Sequence, residues 1–84
     1  ASGPAFALRG TIEQLREEAY RAAQAKQYEV AAEKYRALRG AAQQKKDPRL
    51  AVQALNAIAG CHYGLFQYRD ALRLYEEALG EAEK

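Results

Sequence analysis

One pattern constrains the fold more than any other: the chain repeats itself at a distance of forty residues. The stretch QYEVAAEKY at 27–35 and the stretch QYRDALRLY at 67–75 carry Gln, Tyr, Ala and Tyr at the same spacing. The segments before them align at the same distance, with Leu15 against Leu55. Self-similarity at a period of 20–50 residues is typical of proteins that stack equivalent units. We therefore expect two copies of one structural unit.

Each copy predicts a pair of amphipathic helices, because its apolar residues recur at spacings of three and four. In the first copy the sequence TIEQ forms a capping box that starts a helix at Thr11. In the second copy Asp47 is a good N-cap residue, and Pro48 suits the first helical position. The fold class that we predict is all-α, with four helices in two antiparallel pairs.

These signals divide the chain into a short first segment and one domain, since 84 residues support a single core. Residues 1–10 contain two glycines and a proline, and we expect them to be flexible. The domain then covers residues 11–84, with the first helical pair at about 11–46 and the second at about 47–84. Because the chain starts at Ala1 rather than Met, we interpret it as a fragment of a larger protein.

Composition argues against several classes of function. The chain has 13 basic and 11 acidic residues, without the basic clustering that is typical of nucleic-acid binding. No run approaches the roughly 18 consecutive apolar residues of a membrane-spanning helix. The single cysteine cannot form an internal disulfide, which suits a cytoplasmic location. We expect no nucleic-acid partner and no membrane partner.

Cys61 and His62 are the only pair of residues that invites a catalytic interpretation. Neighbours on a helix point about 100° apart, so these two side chains do not face one another. Neither has a second His, Cys or acidic residue nearby at the spacing of a metal site. We therefore predict structural roles for both, and no catalytic residue, metal or cofactor.

The spacing of large and small residues resembles that of the tetratricopeptide (TPR) repeat. The residues that carry the resemblance are Leu15, Ala19, Tyr28, Ala31 and Tyr35 in the first copy and Leu55, Ile58, Ala59, Tyr68, Ala71, Tyr75, Ala78 and Leu79 in the second. The period is longer than the common 34 residues and resembles the extended variety of kinesin light chains and spindle-orientation adaptors. The resemblance implies that the two pairs form a short right-handed α-solenoid.

The same resemblance implies that the first helices of the two pairs line a concave groove that binds a peptide or a helix of a partner protein. The candidate contacts in that groove are Arg16, Tyr20, Gln24, Gln53, Asn56 and Tyr63. Gly60 and Gly64 would give the groove a smooth floor. The other tyrosines fall at packing positions of the repeat and are predicted to lie in the core: Tyr28, Tyr35, Tyr68 and Tyr75.

The last helix carries a second signal, because Leu72 and Leu79 lie seven residues apart on the face that a following repeat would cover. Terminal repeats need a polar outer face for solubility, so an apolar face here indicates an interface. A homodimer formed through the last helix is one way to cover it.

The function that these patterns favour is a non-enzymatic protein-interaction module from a larger adaptor or regulator. Its mechanism is surface recognition of a protein or peptide, without bond chemistry. Two alternatives stay open. One is a self-association element whose partner is a second copy of the chain. The other is a bundle similar to the microtubule-interacting and transport (MIT) domain, which has three helices and a similar spacing of Ala and Tyr.

Overall fold

A computed structural model describes the backbone of residues 4–84 and the side chains of residues 11–84. Within this range the chain forms four α-helices and no strand: α1 (Pro4–Gln24), α2 (Tyr28–Gln44), α3 (Pro48–Gly64) and α4 (Tyr68–Ala82). The predicted all-α class is confirmed. The helices pack mainly against their neighbours in the sequence, in a flat molecule with principal extents of 45, 33 and 12 Å. α1 and α4 therefore stand at the two ends of the row.

The first helix begins earlier than expected. It starts at Pro4, seven residues before Thr11, and proline suits such a start because its missing N–H has no partner in a first helical turn. The predicted capping box consequently lies inside α1 and does not begin it. The flexibility of residues 1–10 stays a prediction, since residues 4–10 are helical and residues 1–3 lie outside the described part of the chain.

The three connections between helices are built alike and lie twenty residues apart. Each contains one residue other than glycine in the left-handed conformation: Lys26 (φ 62°), Lys46 (φ 58°) and Phe66 (φ 64°). At the first connection the Lys26 N–H donates to the Ala23 carbonyl, and the Gln27 N–H donates to the Ala22 carbonyl. This is the Schellman pattern, which satisfies the last carbonyls of a helix and reverses the chain. Successive helices are therefore antiparallel.

The start of α3 follows its sequence signal. The Asp47 side chain accepts a hydrogen bond from the Leu50 N–H at 3.1 Å, and Pro48 is the first helical residue. Gln27 and Gln67 precede α2 and α4 without a side-chain cap. The Gln67 Oε1 atom instead lies 2.6 Å from Nδ1 of His62.

Small residues make up much of the core. Four alanines are 0% exposed: Ala19, Ala31, Ala42 and Ala59. Small side chains at helix contacts let the helix axes approach closely, and larger side chains fill the remaining space. The half-buried Tyr35 serves this purpose, because it packs against all three of the hydrophobic clusters among the described residues.

Candidate functional site

One face of α4 presents large apolar side chains to solvent. We call these residues the α4 stripe: Tyr68, Leu72, Tyr75 and Leu79, which are 52%, 59%, 42% and 61% exposed. Their spacings of four, three and four residues place them along one side of the helix. An adjacent side of α4 is buried, where Ala78 packs against Leu55 and Ile58 of α3. The helix is therefore anchored by one side and leaves a second apolar side open.

The equivalent stripe on α2 is covered by α3. Forty residues before the α4 stripe, the same places are taken by Tyr28, Ala32, Tyr35 and Arg39. Ala32 is only 2% exposed and packs in a cluster with Cys61 of α3. The ring of Tyr28 lies directly over Gly64 of α3. The face of the repeat unit that receives a helix in the first copy is thus exposed in the second.

This difference corrects one prediction. The repeat tyrosines were all expected in the core, but only Tyr28 and Tyr35 are partly buried, whereas Tyr68 and Tyr75 are exposed. The physical reason is that α3 packs on α2, while no described residues pack on the outer side of α4. The exposure of Leu72 also follows from this arrangement, and its part in self-association stays a prediction.

The α4 stripe continues into an exposed aromatic cluster at the turn between α3 and α4. The rings of Tyr63 and Tyr68 lie 4.9 Å apart, and those of Phe66 and Tyr68 lie 6.2 Å apart, both edge to face. Phe66 is 78% exposed and stands at the left-handed position of the turn. The sequence interpretation did not single it out. Its signal is an aromatic residue at a turn position where glycine or a small polar residue is usual.

The predicted groove is only partly assembled. All six groove candidates are exposed: Arg16, Tyr20, Gln24, Gln53, Asn56 and Tyr63. A cleft of about 220 Å³ lies between α1 and α3, above α2, and Arg16 and Gln53 line it together with Tyr35. The other four candidates do not line this cleft. The structure therefore brings two of the six residues together at a concave surface.

Gly64 of α3 serves helix packing and is not part of an open floor. A Cβ atom at Gly64 would lie 2.6 Å from the Tyr28 ring, so this ring covers the glycine. A Cβ atom at Gly60 would lie 3.6 Å from the Tyr75 hydroxyl, which is an ordinary contact. The expectation of a smooth groove floor is wrong at Gly64, because the close approach of α2 is what requires glycine there.

The outer face of α1 has the opposite character to the α4 stripe. The face of α3 that packs against α2 includes Ala54, Cys61 and Gly64. Forty residues earlier, α1 carries Gln14, Arg21 and Gln24, all of them exposed. Gln14 donates to Glu18, and Arg21 pairs with Glu17. Within residues 11–24, the outer face of α1 is therefore polar, whereas the α4 stripe is apolar.

Cys61, the first residue of the Cys61 and His62 pair, lies in the core. Cys61 is 3% exposed, and burial raises the pKa of its thiol above the usual value of 9.0. A buried, protonated thiol is a poor nucleophile. Among the described residues, no group of three or more His, Cys, Asp and Glu side chains is placed to hold a metal ion.

Two further findings bear on function. Among the helices that the structure describes, none has both the length and the apolar character needed to cross a membrane. Comparison with protein-family models, with curated proteins and with solved structures found no match to this chain.

Proposed function

We propose that this chain is a non-enzymatic protein-interaction module that binds a helix of its partner on the α4 stripe. The observation that carries the proposal is the contrast between equivalent positions of the two copies. Ala32 of α2 is 2% exposed beneath α3, whereas its counterpart Leu72 on α4 is 59% exposed. Contiguous exposed apolar surface on a small domain usually marks an interface.

The α4 stripe is small for a protein interface. Two tyrosines and two leucines, each about half exposed, present roughly 500 Å² of surface. A standard protein interface buries about 800 Å² on each partner. The stripe is smaller, so we expect a reversible complex of moderate affinity rather than a permanent one.

In this proposal the chain is a short right-handed α-solenoid of the TPR kind, from a larger cytoplasmic adaptor or regulator. The support is the forty-residue repeat, the antiparallel order of the helices and the alanine-rich packing between them. The MIT-like alternative predicts a bundle of three helices, so it does not account for the fourth helix, α4.

A second candidate is peptide binding in the cleft between α1 and α3. Arg16 and Gln53 line this cleft, and the exposed Tyr20 lies one helical turn beyond Arg16. The cleft has a volume of only about 220 Å³, and two of the six groove candidates line it. We therefore rank the cleft below the α4 stripe.

The test uses a fluorescently labelled peptide with the α3 sequence, residues 47–67, because α3 covers the equivalent face on α2. Binding of this probe to the chain is followed by fluorescence anisotropy. We expect the native chain to bind the probe and the variant Leu72→Lys with Leu79→Lys to lose binding, since buried ammonium groups would have no partner. Absence of binding to the native chain overturns the proposal.

Two control variants separate the candidate surfaces. Gln14→Lys with Gln24→Lys adds the same two charges to the polar face of α1, and we expect it to bind the probe like the native chain. The double alanine variant at Arg16 and Gln53, the two candidates that line the cleft, tests the cleft. If this alanine variant no longer binds the probe while the Leu72→Lys, Leu79→Lys variant still does, the binding surface lies between α1 and α3 instead. Circular dichroism verifies that each variant is folded.

A further inference from the structure

We infer that the α4 stripe binds the α4 stripe of a second copy of this chain, as an antiparallel two-fold pair. The inference rests on the proposed function, that this stripe is an interface, and it identifies the partner. Spacings of four, three and four residues are those of the seam along which two helices pack in a coiled coil. Leu72 and Leu79 then occupy the a positions, and Tyr68 and Tyr75 occupy the d positions.

The polar outer face of α1 argues against a head-to-tail contact. If α4 of one copy packed on α1 of the next, as α2 packs on α3, the stripe would meet Gln14, Arg21 and Gln24. Removing these amide and guanidinium groups from water, together with the Glu17 and Glu18 carboxylates that pair with Arg21 and Gln14, is costly beside leucine. Among the described surfaces, the face that matches the stripe in a second copy is the stripe itself. Such a self-complementary contact gives a closed two-fold dimer.

Charged residues beside the stripe select the antiparallel orientation. Arg69 and Glu76 are exposed on the outer flank of α4, and neither has an ion-pair partner among the described residues. When Tyr68 of one copy packs against Leu79 of the other, Arg69 of the first lies beside Glu76 of the second. The two-fold axis forms this ion pair twice.

A parallel pair of α4 helices gains no such charge pairing. In that orientation Arg69 and Glu76 of one helix would face the opposite side of the other helix. That side carries Ala71 and Ala78, which are already buried in their own domain. Arg69 and Glu76 would then face no group of opposite charge. The antiparallel orientation also places each stripe tyrosine against a leucine, so that a large side chain meets a smaller one in every layer.

The combined area of two stripes lies at the lower end of what a reversible dimer needs. Two stripes together contribute roughly 1,000 Å², which is the lower limit for a specific interface. The exposed ring of Phe66, in contact with Tyr68, extends the apolar surface at the start of each α4. We therefore expect a monomer–dimer equilibrium that depends on concentration.

Sedimentation velocity of the whole chain, from about 10 μM to about 500 μM, measures this equilibrium. We expect the native chain to shift from monomer to dimer over this range. Leu72→Lys with Leu79→Lys should stay monomeric, and Gln14→Lys with Gln24→Lys should dimerise like the native chain. A native chain that is monomeric at every concentration overturns the inference.

Charge reversal tests the orientation. We expect Arg69→Glu alone and Glu76→Arg alone to raise the dimer dissociation constant about tenfold, because each sets like charges beside one another. The double variant, with both reversals, should recover the native dissociation constant. Single reversals without effect, or a double variant that fails to recover, overturn the antiparallel arrangement.

The outcomes separate this inference from the proposed function. If the chain stays monomeric but still binds the α3 probe, the α4 stripe is an interaction surface whose partner is not a second copy of the chain. A chain that neither dimerises nor binds the probe refutes both. Open-ended assembly that is weakened in the Gln14→Lys, Gln24→Lys variant would show a head-to-tail contact. That result also refutes the two-fold pair.

Discussion

Arg39 of α2 donates two hydrogen bonds, of 3.2 Å and 2.7 Å, to the carboxylate of Glu81 near the end of α4. Its guanidinium also donates to the carbonyl of Ala51 in α3 at 3.2 Å. One side chain thus connects three helices, although α2 and α4 are not neighbours in the sequence. A bidentate arginine–carboxylate pair has strict geometry. This contact therefore helps to orient α4, and with it the α4 stripe.

Removal of the Arg39 side chain should destabilise the fold. We expect Arg39→Ala to lower the free energy of unfolding by about 1 kcal/mol, because the pair is bidentate yet still partly solvated. Urea unfolding followed by circular dichroism measures the change. The control is Arg73→Ala, which removes the exposed contact with Asp70 and should change stability little. Equal losses in both variants would contradict a special role for Arg39.

The same contact predicts a dependence of stability on pH. The hydrogen bond from Arg39 lowers the pKa of Glu81 below its usual value of 4.5, against a smaller opposing effect of burial. Because the pKa is lower in the folded state, the contact contributes stability above the unfolded pKa, and this contribution is lost as pH falls through the folded pKa. We expect the Tm of Glu81→Gln to lie below that of the native chain at neutral pH and to approach it in acid. A constant Tm difference down to about pH 2 would refute this explanation.

Substitution by alanine should change the stability of the fold in opposite directions at two glycines, Gly64 and Gly40. At Gly64 a Cβ atom would lie 2.6 Å from the Tyr28 ring, so we expect Gly64→Ala to cost about 1 kcal/mol of stability. At Gly40 a Cβ atom meets nothing within 4 Å, so Gly40→Ala should gain up to about 1 kcal/mol through helix propensity. Thermal unfolding compares the two. In a Tyr28→Ala background the cost at Gly64 should disappear, and its persistence would rule out the ring as the cause.

Glycine at the left-handed turn positions should stabilise the chain. Lys26 and Lys46 have φ values of 62° and 58°, which cost a residue with a Cβ atom about 1 kcal/mol. We expect Lys26→Gly and Lys46→Gly each to raise the free energy of unfolding by roughly that amount. Lys45→Gly is the matched control, because Lys45 has a φ of −80° and should gain nothing. A similar gain in the control would point to a general effect of removing lysine.

The Cys61 thiol should react slowly in the folded chain. It is 3% exposed, and burial raises the pKa of the thiol above 9.0, although the positive charge of Arg36 acts in the opposite direction. We expect labelling with a disulfide reagent at mildly alkaline pH to be about a hundredfold slower than for a cysteine placed at exposed Gln24, in the background of Cys61→Ala. Urea should accelerate the reaction of Cys61 in step with unfolding. Equal rates for the two positions in the folded state would contradict its burial.

Much of the local structure could be predicted from the sequence. Asp47 and Pro48 begin α3 as expected, because capping depends on residues within one turn. The break between α1 and α2 had no glycine or proline to mark it, and only the repeat predicted it. The start of α1 was predicted too late, since the capping signal at Thr11 also fits the interior of a helix.

The candidate site depended more on tertiary structure. Leu72 and Leu79 were predicted to lie on the face of the last helix that a following repeat would cover, because helical periodicity identifies the face on which a residue lies, and both are exposed in the structure. Tyr68 also lies on the exposed face, whereas Tyr28 packs on α3. The repeat could not predict this difference, since both tyrosines have the same local sequence signal. Phe66 extends the surface only because the turn holds it beside Tyr68.

The sequence by itself determined four helices in antiparallel order and the positions of their turns, because periodicity, caps and repetition act over a few residues. Only the tertiary structure decided which equivalent positions are buried and which are exposed. Burial depends on whether another helix lies against a face, as α3 does on α2 and none of the described helices does on the outer side of α4. The contact between Arg39 and Glu81, 42 residues apart, belongs to the same category, because only packing brings the two side chains together.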